Sequence, residues 1–505
     1  MFENQPKGIY ALALANTGER FGYYTMIAVF VLFLKSSFGL SASAAGAIYA
    51  TFLGLVYLTP LLGGAMADRW GYGKMVTWGI FVMFLGYLLL AIPLGGAAMG
   101  FAAMLAALLL ISLGTGLFKG NLQVMAGNLY DEARYNSQRD AGFSLFYMAI
   151  NIGSLFAPTA AIKAMEFAQS HLGASQAESY HYAFGVACLS LILSVAIYYA
   201  FRHTFRHTEA SKGSQPAATQ QEGDISKEET RSRVTALCLV FAVVIFFWMA
   251  FQQNGLTLTY FADEFVAKSS SGVQSMAFDV FNLVALIFIV YALFALFQSK
   301  GLRAKLISIA VIAGSVGYLV VQYTHLQGSI DIAAPIFQHF NPCFVVMLTP
   351  VSLGLFGWLA KRGKEPSAPR KIALGMLVAA AAYCVMLAGS MGLLSPEAQK
   401  TAGAAATFAS PNWLISTYLI LTFGELLLSP IGISFVSKVA PPKYKGMMMG
   451  GWFVATAAGN LLVSVGGFLW GSLPLWCVWS VFAVLCALSA LFMFSIMKRL
   501  EKVSR

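Results

Sequence analysis

Charge is scarce in this chain. Only 10% of its 505 residues are Asp, Glu, Lys or Arg, against 58% hydrophobic ones, whereas a soluble domain carries about 25% charged residues. So little charge excludes a soluble globule and points to a polytopic membrane protein. Cysteine is sparse too: Cys188, Cys238, Cys343, Cys384, Cys477 and Cys486 all fall in apolar stretches, none paired at metal spacing. That pattern argues against a disulfide framework or zinc site and leaves them as packing residues. No Ser/His/Asp set, metal-ligand spacing or nucleotide loop is visible, so neither an enzyme nor a resident cofactor or metal is expected. Nucleic-acid motifs are missing as well. Met1 to Gly8 has no signal-peptide pattern, and the apolar segment that follows is too long for an h-region; it is expected to stay as a span.

What is abundant is apolar runs. A helix crosses the hydrocarbon core with about 20 residues, and fourteen segments qualify: 9–35, 41–67, 75–95, 100–128, 142–165, 180–203, 234–261, 277–298, 304–323, 335–360, 371–394, 411–437, 446–470 and 475–497. The net charge of +11 is concentrated in alternate loops, for example Arg69 and Lys74, Lys300, Arg303 and Lys305, or Lys438, Lys443 and Lys445. Under the positive-inside rule both termini are cytoplasmic, in what reads as a bacterial inner membrane.

Residues 204–233 are polar, poor in aromatics and carry both signs of charge, the composition of a flexible connection. They separate six spans (1–203) from eight (234–505). Two six-helix halves with a cytoplasmic linker is the plan of the major facilitator superfamily. The surplus pair, the hairpin 277–323, has a basic tip and one acid, Asp279, and reads as a peripheral insertion without a transport role.

Four charges interrupt the apolar runs: Glu19 and Arg20 in the first span, Lys119 in the fourth, Glu425 in the twelfth. Each costs about 2.5–3.5 kcal/mol at mid-bilayer on insertion scales, so they mark a place where a substrate, ion or proton is handled. In the first span Asn16, Glu19, Arg20, Tyr23 and Tyr24 share one helical face, which should line a cavity. The loop Gly63–Lys74, GGAMADRWGYGK, resembles the superfamily's loop motif, a conformational latch, with Asp68 and Arg69 as its charged pair.

More specific motifs follow in order: GERFGYY in the first span, Gly116-Leu117-Phe118-Lys119-Gly120-Asn121 in the fourth, and Phe146-Tyr147-Met148-Ala149-Ile150-Asn151-Ile152-Gly153-Ser154 in the fifth. Then come Asn341-Pro342, the segment from Glu425 through Ser429-Pro430 to Gly432, and Gly450-Gly451-Trp452-Phe453. Together they resemble the proton-dependent oligopeptide transporters over nearly the whole chain. The resemblance implies an all-α major facilitator fold with an inserted hairpin. It also implies a secondary transporter importing di- and tripeptides with protons by alternating access.

A peptide zwitterion needs cations for its carboxylate and an anion for its amine. The resemblance assigns Arg20 and Lys119 to the carboxylate and Glu425 to the amine, so that a peptide would bridge the two halves. It gives Asn151 and Asn341 to the peptide backbone. Tyr24, Tyr57, Trp248 and Trp452 would form side-chain pockets, and Ser429 lies one turn from Glu425.

The chain departs from the family where acids are usual: Asn16 stands at the first acid of the first-helix signature and Gln252 at the seventh-helix glutamate. Neither titrates near neutral pH, which leaves Glu19 as the best proton carrier and Glu425 as the second. Peptides, protons and the lipid bilayer are the expected partners; no nucleic acid and no obligate protein partner are. Two other readings keep the fold: a carrier of nitrate, another anion or a peptide-like conjugate, and a non-transporting nutrient sensor signalling through 204–233.

Overall fold

The computed structural model describes residues 5–94, 97–132, 134–135, 139–210, 226–326, 328–441 and 444–504. Among them, fourteen helical segments are long and apolar enough to cross a membrane. The helices are α1 (Lys7–Phe38), α2 (Ala42–Trp70), α3 (Tyr72–Ala91), α4 (Ala97–Asn128), α5 (Arg139–Leu172), α6 (Gln176–Ala200), α7 (Lys227–Phe251), α8 (Thr257–Glu264), α9 (Val280–Gln298), α10 (Leu302–Thr324), α11 (Phe340–Lys361), α12 (Ala368–Gly389), α13 (Pro396–Thr401), α14 (Pro411–Val439), α15 (Lys445–Leu461), α16 (Ser464–Leu469), α17 (Leu475–Ser495) and α18 (Met497–Ser504). Local chemistry sets several boundaries. Gly39 ends α1 in the left-handed conformation at φ 62, a step that other residues take at a cost. Ser175 and Glu178 form a reciprocal capping box at the start of α6.

The chain divides into two compact units. One holds Met1–Leu256, Ile433–Leu469 and Lys498–Arg505; the other holds Thr257–Gly432 and Trp470–Met497. In the first, α3 and α2 pack on α4, α1 packs on α5 and α6, and α15 packs on α2 and α7. Lipid offers no hydrophobic drive for such contacts, so close backbone approach through small residues takes over. A Cβ on Gly63 would stand 2.1 Å from the Gly116 carbonyl oxygen, and one on Gly114 would stand 2.6 Å from that of Gly79. In the second unit α12 packs on α17, α9 on α10 and α11 on α9.

Three sequence readings change in detail. The seventh span is broken: α7 stops at Phe251 and a 3-10 turn, Gln252–Gly255, precedes α8. Gln253 holds the break by donating to the Met249 and Val463 carbonyls at 3.2 and 3.1 Å. The expected connection 204–233 is structured at both ends, because α7 begins at Lys227 and 3-10 turns run over Arg202–Thr204 and Arg206–Thr208. Phe205 is fully buried there, and Arg202 pairs through two nitrogens with Glu209, at 2.7 and 2.6 Å. Those hydrogen bonds hold the Arg202 guanidinium above its ordinary pKa. The Glu209 carbonyl also accepts from the Gly73 amide at 3.2 Å, so the strap is fastened under the loop between α2 and α3. Residues 211–225 lie outside the described residues. The hairpin stands as α9 and α10, and an antiparallel ladder pairing Ser269–Ser271 with Ser329–Asp331 closes its base. Asp279 is the N-cap of α9, accepting from the Phe281 and Asn282 amides. Ser308 is the only buried residue of α10.

Candidate functional site

The charged face of α1 is held on two sides. Thr17 donates to the Ala149 carbonyl of α5 at 3.1 Å, and Ser194 of α6 donates to the Ala15 carbonyl at 2.6 Å. Between these ties Glu19 is fully buried and Arg20 is 4% exposed. Arg20 Nε and Nη2 donate to the two carboxylate oxygens of Glu19 at 2.5 Å each, and its guanidinium stands 4.6 Å over the Tyr23 ring. Neighbouring positions on a helix point apart, yet the guanidinium folds back along α1, where each charge offsets part of the other's burial cost. The face is therefore closed rather than open: Asn16 and Tyr23 are buried with the pair, and Asn16 Nδ2 has no hydrogen-bond partner among the described residues. Tyr24 is half-buried and meets Tyr23 edge-on at 5.3 Å.

Lys119 sits on α4 beside the close α2–α4 contact. Thr59 donates to the Ser112 carbonyl at 2.7 Å and Asn121 to the Gly63 carbonyl at 3.1 Å, which fixes the register. The Lys119 ammonium lies 4.3 Å over the Tyr57 ring, a cation–π contact. Glu19 and Arg20 are within electrostatic range, but the carboxylate is taken by Arg20. Among the described residues Lys119 has no salt bridge. In this unit, and among the described residues, the embedded charges thus read as a neutral pair plus one cation without a salt bridge.

Asn151 is 7% exposed on α5 and donates to the Tyr147 carbonyl at 3.0 Å, leaving Oδ1 as an acceptor. Trp248 on α7 is packed between Phe247 and Phe251, both edge-on at 5.6 Å, and its buried indole nitrogen has no partner among the described residues. Gly459 of α15 lets α7 approach at this level, since a Cβ there would stand 2.8 Å from that of Trp248. Trp452 is buried on α15, and Gln252 is half-buried at the break after α7. Arg69 is exposed; the side chain of Asp68 lies outside the described residues, so the latch pair is not seen.

In the second unit α14 presents Glu425, 9% exposed. Gly424 sits against Gly375 of α12, where a Cβ would stand 3.0 Å from a carbonyl oxygen, so α14 is seated closely. Asn341, at the start of α11, donates through Nδ2 to Glu425 Oε2 and to Thr422 Oγ1, both at 3.0 Å. Among the described residues no cation pairs with Glu425. Ser429 Oγ, one turn further on, is buried without a partner among the described residues. Here the structure gathers three of the expected residues and adds Thr422, which its i−3 spacing from Glu425 could have revealed. Tyr87 was also not singled out; its hydroxyl is buried without a partner among the described residues, within electrostatic range of Glu19 and Arg20. Tyr87 stands in an apolar run without a polar neighbour, so nothing in the sequence flags it.

Comparison with known proteins gives one family. The profile of the POT family matches residues 73–222 and 306–466. A peptide transporter of Yersinia enterocolitica subsp. palearctica is 29% identical, over 92% of this chain and 88% of its own. A di-/tripeptide transporter of Lactococcus lactis subsp. lactis is 27% identical, over 91% and 89%. Among solved structures, a peptide transporter POT in complex with alafosfalin has a TM-score of 0.75 at 24% identity, covering 100% of this chain and 96% of the other. A POT family transporter in complex with 5-aminolevulinic acid has a TM-score of 0.75 at 20% identity, covering 100% and 98%.

Proposed function

Because the chain belongs to the POT family of the major facilitator superfamily, we propose that it imports di- and tripeptides by alternating access, driven by protons. It is a multi-pass membrane protein and not an enzyme. The observation that carries the reading is the uncompensated charge of Lys119. Its ammonium lies in a membrane-spanning helix and, among the described residues, has an aromatic face and no salt bridge as partner, because Glu19 is committed to Arg20. A cation kept this way calls for an anion from outside the protein. The second unit carries the opposite charge, Glu425, held by the neutral amide of Asn341. An unpaired cation and an unpaired anion are the two halves of what a zwitterion requires.

In this reading Lys119 receives the peptide carboxylate first and Arg20 joins it. Leaving Glu19 to do so releases both carboxylate oxygens, and only then is a proton accommodated there. Substrate and proton are thereby linked through one guanidinium. Glu425 takes the amine, with Asn341 sharing its carboxylate; Asn151 offers Oδ1 to the peptide backbone. Tyr24, Tyr57, Trp248 and Trp452 shape the side-chain pockets, and Ser429 supplies a hydroxyl beside the amine. Asp68 and Arg69 act as the loop latch. Residues 1–203 and 234–505 form the N- and C-terminal bundles joined by a cytoplasmic connection, with both termini cytoplasmic in a bacterial inner membrane, and no obligate protein partner is involved.

The test is uptake of one labelled alanine dipeptide into proteoliposomes under an imposed pH gradient. Accumulation that an uncoupler abolishes, and that unlabelled dipeptide but not nitrate competes away, is the expected outcome. Competition by nitrate would favour an anion carrier. Absence of any flux, including exchange, would leave the sensor reading.

A further inference from the structure

The end of the bundle opposite the termini carries a cavity unconnected with the charges above. It has a volume of about 870 Å³ and opens between the last turns of α3 and α5 and the first turns of α6. That is within the roughly 300–1,000 Å³ of sites that hold a drug-sized ligand. Its walls are apolar, from Ala164 and Phe167 on α5 to Tyr182 and Leu189 on α6. Phe167 and Leu189 are 54% and 66% exposed, so the groove opens sideways into a surface that lipid wets. Gly185 forms part of the wall, with nothing within 4 Å of where a Cβ would stand.

Two polar groups stand at the rim, three residues apart on one face of α6. Glu178 uses Oε2 to accept from the Ser175 amide and hydroxyl, both at 2.8 Å. Its Oε1 has no partner among the described residues. His181 Nδ1 lies 2.6 Å from the Leu90 carbonyl; a carbonyl only accepts, so Nδ1 carries the hydrogen and Nε2 of the neutral ring is an acceptor. The rim therefore offers two acceptors, Glu178 Oε1 and His181 Nε2, one of them anionic. The groove below suits an acyl chain.

We propose that this cavity is a phospholipid seat selective for a primary-ammonium headgroup, as in phosphatidylethanolamine. The ammonium donates to Glu178 Oε1 and His181 Nε2 while one acyl chain lies along Phe167, Gly185 and Leu189. A choline headgroup has the same charge but no N–H to donate, so it gains only the Coulomb attraction. Placing the lipid in the outer leaflet rests on the orientation proposed above; the site itself does not.

The full-length protein, delipidated in detergent, is offered equal amounts of phosphatidylethanolamine and phosphatidylcholine with identical acyl chains, and bound lipid is counted by native mass spectrometry. Retention of the ethanolamine lipid should exceed that of the choline lipid by about tenfold, the scale of one hydrogen bond to a charged group. Glu178→Gln should remove most of that preference, leaving only what the His181 acceptor supplies. Glutamine still closes the capping box, so α6 keeps its start. Gly185→Leu should lower retention of both lipids by filling the groove. Equal retention by the unaltered protein, or a preference that survives both substitutions undiminished, would overturn the proposal. No transported substrate enters this measurement, so failure of peptide uptake and failure of lipid selectivity are separate outcomes.

Discussion

Arg20 closes two hydrogen bonds on the carboxylate of its own chain neighbour, Glu19. Consecutive residues diverge by about 100° around a helix, so the pair forms only because a long guanidinium bends back. Both partners are buried. Each is therefore the condition for keeping the other charged in the membrane.

Replacing Glu19 alone should expose that dependence. Glu19→Gln leaves a buried guanidinium without a counter-charge, a change that costs about 3–5 kcal/mol where a buried pair is broken. The variant should unfold at markedly lower temperature in detergent, and proton-driven accumulation should disappear while counterflow exchange persists. The double variant Glu19→Gln/Arg20→Gln should regain much of the thermal stability and transport nothing. If accumulation persists in Glu19→Gln, the proton is carried elsewhere.

Lys119 predicts a dependence on the substrate's carboxylate. Lys119→Met keeps most of the aliphatic length on Tyr57 and removes the charge. The KM for a free dipeptide should rise by about tenfold to a hundredfold, the worth of a charge-assisted hydrogen bond. The KM for the corresponding dipeptide amide should hardly move. An equal rise for both would mean that Lys119 serves packing.

At the other end of the peptide, Glu425 should set the requirement for a free amine. The unaltered protein should favour Ala-Ala over N-acetyl-Ala-Ala, and Glu425→Gln should collapse the ratio. Asn341→Ala withdraws the donor at 3.0 Å from Glu425 and from Thr422. It should cost about 1–3 kcal/mol of stability for the groups left unsatisfied, read as a lower unfolding temperature with KM for the amine-bearing substrate raised.

Much of the scaffold was legible because hydrophobic runs of membrane length have few alternatives. All fourteen expected segments correspond to helical spans, with ends displaced by up to seven residues. The charges stood out for the same reason, since Lys119 or Glu425 in an apolar run has no composition to hide in. Partnerships were harder to read. Asn341 reaches Glu425 across 84 residues of chain, and only packing of α11 beside α14 brings them together. The Glu19–Arg20 closure was missed because spacing rules describe Cβ directions, not the reach of a guanidinium. The strap at Arg202–Glu209 was missed because its composition is that of a linker, while one buried Phe205 and one ion pair decide its structure.

The α2–α4 contact gives a prediction about assembly. Gly63→Val would place its side chain inside the backbone of Gly116, 2.1 Å from Cβ to the carbonyl oxygen. Overpacking costs about 1–3 kcal/mol where neighbours can shift, and backbone shifts less readily than a side chain. The variant should be degraded or elute as aggregate. Gly317→Ala on α10, with nothing within 4 Å, should express as the unaltered protein does.

The hairpin has a different kind of meaning. Its second helix is in contact with little except its partner, and its exact positions are specified only at the base, by the ladder of Ser269–Ser271 with Ser329–Asp331 and by the Asp279 cap. A helix surrounded by hydrocarbon is chosen for solubility there, not for fit. Residues 302–324 should accordingly tolerate wholesale replacement by another apolar sequence of equal length, drifting freely between related chains, while the few residues that tie its ends stay put.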